Sequence, residues 1–115
     1  MTTKRATRTT AYTIMGEIGN ETLLEFIRNA LISREFTSHE FIYLFRTHFR
    51  NEYERMLEIY AEYGEIKYRN KQIANAIGRY LGHHRQSLYI EKIDTKRDMN
   101  INETISAASI WRKTL

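Results

Sequence analysis

Gln72, Asn75, Ala76 and Arg79 fall at relative positions 0, 3, 4 and 7. On a helix that spacing puts four side chains on one face. Two amides and a guanidinium are bidentate hydrogen-bonding groups, whose geometry matches the edges of adenine (Gln, Asn) and guanine (Arg). Ala76 would keep the middle of such a face low. Two other constellations could do chemistry. His83-His84 suggests a metal, but adjacent residues project apart, and neither a cysteine nor an HExxH spacing supports a site. Glu91 and Asp94, with Lys92 and Lys96, have the residue types of a metal-dependent nuclease. Three positions apart on a strand, those carboxylates are expected on opposite faces. No GxSxG, P-loop or GxGxxG is present. The expectation is a protein without catalytic residues, metal, cofactor or small-molecule ligand.

The elements that must position these residues can be read from caps and periodicity. No proline stops a helix anywhere. Residues 1–13 are Thr-rich and basic and read as a flexible arm, with residues 14–115 as a single domain. A first helix is expected over about 21–33, with a Thr22/Glu25 capping box, a competing cap in Asn20, and an apolar stripe of Leu23, Leu24, Ile27, Ala30 and Leu31. A short extended piece at 34–37 follows. Thr37 and Glu40 then form a second cap, and Phe36 and Phe41 a hydrophobic staple. Phe41, Phe45 and Phe49 make an aromatic core face. A break near Arg50 separates a third helix, about 52–62, whose Tyr53, Met56, Leu57, Tyr60 and Ala61 face inward. Gly64 is a natural stop, and 63–69 reads as a connector. Asn70 would cap a fourth helix, 71–81, ending at Gly82, with Ile73, Ala74, Ile77, Tyr80 and Leu81 inward. The period then changes to two, predicting strands over about 86–93 and 104–113 around a charged loop at 94–100. Trp111 and Ile90 would pack that hairpin on the helices.

The 115 residues suffice for one domain. With 42% apolar and 28% charged residues, wholesale disorder and collagen are excluded. No uncharged run is long enough to span a bilayer. The absence of cysteine and of a signal-peptide core predicts a cytoplasmic, nucleoid-associated protein. The net charge of +4 is unevenly spread: +2 over residues 1–19, −4 over 20–66 and +6 over 67–115. An acidic middle followed by a basic C-terminal half suits a surface that binds a polyanion.

Helix, short extended piece, further helices, last helix and then a hairpin: over about residues 20–113 this order resembles a winged helix-turn-helix domain. The resemblance is one of architecture. It implies a mainly α fold with a small β-hairpin, four helices followed by a two-stranded antiparallel wing. It also implies that the last helix enters the major groove of DNA while the wing touches backbone. Gln72, Asn75, Ala76 and Arg79 would then face the bases. Lys4, Arg5, Arg8, Tyr68, Arg69, Asn70, Lys71, Arg85, Lys96 and Arg97 would face the backbone. The expected function is sequence-directed binding of double-stranded DNA in transcriptional regulation. A homodimer would have to use the aromatic or acidic helices. The alternative is a small protein-binding inhibitor or accessory subunit whose contact is the acidic helices, through Glu52, Glu58 and Glu62.

Overall fold

The computed structural model describes residues 8–115. Along them run α1 (Ala11–Ile18), α2 (Asn20–Ala30), β1 (Glu35–Thr37), α3 (Ser38–His48) and α4 (Arg50–Ile59). A single 3₁₀ turn (Ala61–Tyr63), α5 (Ile66–His83), β2 (Ile90–Met99) and β3 (Ile105–Lys113) complete the order. The protein is mainly helical with a small antiparallel sheet. Among the described residues there are five α-helices and three strands, not four helices and a two-stranded wing.

The extra helix is α1, where an arm was expected. Thr10 and Thr13 cap each other reciprocally, so the threonines that suggested mobility start a helix. Ala11, Ile14 and Met15 are buried, and the Ala11 N–H donates to the Tyr60 hydroxyl at 3.1 Å. Gly19, at φ +90°, joins α1 directly to α2. The Thr22/Glu25 box therefore does not form. The next boundary follows the sequence closely. Thr37 Oγ1 accepts from the Glu40 N–H at 3.0 Å, and Phe36 and Phe41 are both buried. The helix breaks at Phe49, whose ring packs on Phe26 and Phe45 at centroid distances of 5.2 and 5.0 Å. No side-chain cap forms at the start of α4, so the aromatic contact is what accompanies the bend.

Gly64, at φ +82°, closes the 3₁₀ turn. α5 then begins at Ile66, five residues before the expected start. Asn70 is not its cap. It lies inside the helix, buried, with its side-chain amide bonded across to other elements. Because α5 packs against α1, α3 and α4, its buried arc is wide and holds Asn70, Ile73, Ala76, Ile77, Tyr80 and Leu81. The core continues through Leu23, Phe26, Ile27, Phe41, Phe45, Tyr53 and Met56.

The hairpin is longer than expected. β2 runs to Met99, so most of residues 94–100 are strand and the turn lies at 100–104. A charged sequence is compatible with a strand here because β2 is an edge. The sheet order is β1-β3-β2, all antiparallel, with Phe36 opposite Trp111 and Lys96 opposite Ala108. A bulge between Lys92 and Asp94 shifts the register. Ile90 and Trp111 both join the core.

Asn100 N–H donates to Thr104 O, which turns the amides of Thr95, Arg97 and Met99 toward the free edge of β2. There the Thr95 and Met99 amides donate to the carboxylates of Asp94 and Asp98, at 2.7 and 2.9 Å.

Candidate nucleic-acid interface

α5 turns Lys67, Tyr68, Lys71, Asn75 and Arg79 to solvent, with Gln72 half-buried beside them. Neither Lys71 nor Arg79 has an acidic partner among the described residues. Ala76 does not belong to this face. It is 1% exposed, because the inward arc reaches it, and it cannot touch a base. The low part of the face is made instead by Gly78 and Gly82. A Cβ built on either would meet nothing within 4 Å. Glycine in a helix interior costs roughly 1 kcal/mol relative to alanine, and nothing in the packing of α5 requires it at these two positions.

The other expected backbone contacts divide. Asn70 is buried 17 residues from its partner Tyr53, whose hydroxyl donates to Asn70 Oδ1 at 2.6 Å; it is removed from any surface role. Burial pushes the Tyr53 phenol up to about 12. Arg69 and Arg85 are partly committed to the fold, donating to the carbonyls of Gly64 and Gly82, each at 2.7 Å. Tyr68 is exposed, with the Lys67 ammonium 5.1 Å from its ring centroid. Arg8 pairs with Glu62, and that bond raises its pKa. Lys4 and Arg5 lie outside the described residues. Since α5 starts at Ile66, its N-terminal turn carries Lys67 and Tyr68, while Arg69 and Lys71 stand further along. Lys67 was missed by reading 63–69 as a connector; its place four residues before Lys71 was the available signal.

Lys96 and Arg97 sit on the body of β2, not at its tip, and both are exposed. Being adjacent, they leave opposite faces of the strand. Lys96 shares its face with buried Ala108 and with Ser106, whose hydroxyl lies 3.0 Å from His39 Nε2 of α3. Arg97 shares the outer face with exposed Ala107 and Ile105. Between α5, the N-terminal end of α3 and the hairpin runs a cleft of about 440 Å³. Lys71, Asn75, Gly78, His39, Asn102 and Ser106 all border it.

The bulge overturns the expected placement of the two carboxylates. Glu91 and Asp94 are opposite Arg112 and Ile110, two apart on β3, and so share a face. Their oxygens have separate partners: Glu91 lies 3.9 Å from Arg112, and Asp94 accepts from the Thr95 amide. His83 and His84 do not point apart either. His83 Nδ1 and His84 Nε2 lie 3.0 and 3.3 Å from the Tyr12 hydroxyl. His84 Nδ1 lies 3.1 Å from Asn20 Nδ2, and the His84 ring stacks on Tyr80 with centroids 4.0 Å apart. The pair ties the end of α5 to α1 and α2. Among the described residues no group of three His, Cys, Asp or Glu side chains is placed to hold a metal ion. No helix there is long and apolar enough to cross a membrane.

Compared with known proteins, the chain is matched by no family model, no curated protein and no solved structure.

Proposed function

We propose that this chain binds double-stranded DNA in a sequence-directed way, as a winged helix-turn-helix-like transcriptional regulator. α5 lies in the major groove and the hairpin follows the backbone. The observation that carries the reading is the outward face of α5: the side chains of Lys71, Asn75 and Arg79 have no partner among the described residues, and Gly78 and Gly82 leave room for close approach. The architecture supports it too, because the last helix is followed by a hairpin whose second strand returns to pair with the short β1. Asn75 and Arg79 then supply base choice, with Gln72 at their flank. Tyr68, Lys71, Lys96 and Arg97 supply backbone affinity, with Lys67, 3.7 Å from Glu65, beside them. Arg8, Arg69 and Arg85 contribute less, since each already has a protein acceptor.

The test is selection of duplexes from a random library by gel shift, at low and at moderate salt, followed by sequencing. Enrichment of a motif with salt-sensitive affinity is expected. No retention even at low salt overturns the reading.

A second reading, docking of a protein partner, is favoured by one feature. A depression of about 950 Å³ between α3, α5 and the hairpin turn carries exposed Tyr43, Ile66 and Met99. Of the acidic contact set Glu52, Glu58 and Glu62, Glu62 is already paired with Arg8, while Glu52 and Glu58 meet no cation among the described residues and would stay available beside that apolar floor.

A further inference from the structure

The hairpin turn does not project freely from the sheet. It is fastened to three helices by a continuous relay of hydrogen bonds. Tyr53 of α4 donates to Asn70 Oδ1 in α5 at 2.6 Å, and Asn70 Nδ2 donates to Asn102 Oδ1 in the turn at 2.9 Å. Asn102 Nδ2 donates back to the Lys67 carbonyl at 2.8 Å. Asn100 Oδ1 accepts from the amides of Asn102 and Thr104, at 2.9 and 3.2 Å. Asn100 Nδ2 donates to Ser106 Oγ at 2.9 Å, and Ser106 Oγ meets His39 Nε2 of α3 at 3.0 Å.

We propose that Asn70 and Asn102 are positioning residues that fix the hairpin against α5, and so set where its cations meet phosphate when α5 lies in the groove. This rests on the DNA-binding reading above. Three observations carry it. Asn70 is a polar residue spent inside the helix that carries the candidate reading face, 5% exposed. Asn102 uses both ends of its amide on that one helix, at Asn70 and at Lys67. Lys67 and Lys71 flank Asn70 by three and one positions, so the fastening point lies among the candidate phosphate contacts. A relay of amides, a phenol and hydroxyls is little weakened by salt, whereas ion pairs at an exposed site are screened. The hairpin therefore keeps its place at ionic strengths where its lysine and arginine compete with counterions. None of these cations is consumed in holding it.

The experiment compares the full chain with Asn102→Ala on the duplex selected above, across a range of salt. Asn102 is in a turn, but its loss leaves Asn70 Nδ2 without that partner, so thermal unfolding of both proteins is measured alongside and binding is compared well below the lower transition. At about 0.1 M salt the variant should bind about tenfold more weakly, and its log–log salt slope should be shallower by roughly one to two. Its base preference, which belongs to α5, should be unchanged. Lys96→Gln should cost less in the Asn102→Ala background than in the wild type, because the two changes act on the same contact. Unchanged affinity and slope would overturn the proposal. So would a parallel loss of affinity and base preference, since that is the signature of general loosening. If the wild-type protein retains no duplex, the DNA reading itself fails and this role fails with it. If the wild type binds and the variant binds equally, only the positioning role fails.

Discussion

The cations of the first four helices and those of α5 and the hairpin are treated differently. Arg8, Arg50 and Arg55 meet Glu62, Glu54 and Glu17, and Arg46 lies over the Tyr43 ring. In the second region Lys67 and Arg112 meet Glu65 and Glu35, but Lys71, Arg79, Lys92, Lys96 and Arg97 meet no acid among the described residues; in the first, Arg28 alone among the helical arginines is left with neither an acid nor a ring. The ion pairs of the first region are all exposed, where such contacts are worth about 0–1 kcal/mol. The fold thus gains little from pairing in one region and would lose little from it in the other. The difference lies in what the surface leaves available: residues 20–66 sum to −4 and their excess charge is acidic, while residues 67–115 sum to +6 and present positive charge outward. A polyanion would find its charge complement on the second.

The strongest way to break this contrast is to reverse it. Lys71→Glu with Arg79→Glu should abolish duplex retention while leaving thermal unfolding within a degree or two. The wild type, if it neutralises about five phosphates, should lose several hundred-fold in affinity between about 50 and 200 mM salt. A flat salt dependence would mean that the unpaired cations are ordinary solvated surface. Arg79→Ala alone should cost about 1–3 kcal/mol against the preferred site and relax discrimination at one base pair.

Changes in the buried relay read out on stability first. Asn70→Ala strands the Tyr53 hydroxyl and should cost about 1–3 kcal/mol in denaturant unfolding. The pH dependence has a definite sign. The Tyr53 phenol, near 10 when unfolded, is held up to about 12 by burial in the fold. Its contribution is therefore fully present below pH 10 and is lost as pH rises through about 12. Burial raises the Tyr80 phenol as well, so phenolate absorbance should show a late-titrating fraction that Tyr53→Phe reduces.

Gly78→Ala sharpens the comparison further, because fold and function should respond in opposite directions. The added methyl meets open space, so stability should rise by about 0.5–1 kcal/mol. Affinity for the selected duplex should fall, because the same methyl intrudes where the groove would approach. The smallest effect belongs to the neutralised side. Glu62→Gln should change stability by less than about 0.5 kcal/mol and binding not at all.

What could be read in advance follows physical lines. The start of α3 was legible because Thr37, Glu40, Phe36 and Phe41 are local signals that agree with one another. The sequence of helix, extended piece and hairpin was legible for the same reason, whereas the break before α4 has no side-chain cap and goes with the packing of Phe49 on Phe26. α1 was hidden because threonine is both a loop residue and a cap, and only burial against Tyr60 decides between them. The start of α5 was misplaced because Asn70 has the side chain of a cap, while its actual partners, Tyr53 and Asn102, are remote in sequence. Ala76 was put outside because a single apolar stripe was assumed for a helix that has three helical neighbours. The candidate face survives these shifts through Lys71, Asn75 and Arg79, whose mutual spacing does not depend on where the helix begins. The bulge at Ile93 had no sequence signal, and it alone changes which side Glu91 shares with Asp94.

The carboxylates of Asp94 and Asp98 have a consequence for the protein in bulk. A ten-residue open edge without proline is a template on which another copy could add a strand, and growth of that kind has no natural limit. By occupying the Thr95 and Met99 amides, the two aspartates remove donors that an incoming strand would need, and their charge repels its carbonyls. The residues beside the candidate interface thus also set how concentrated this protein can become before it precipitates. Replacing both with alanine should leave the helices folded and raise light scattering relative to the unchanged chain at the same concentration.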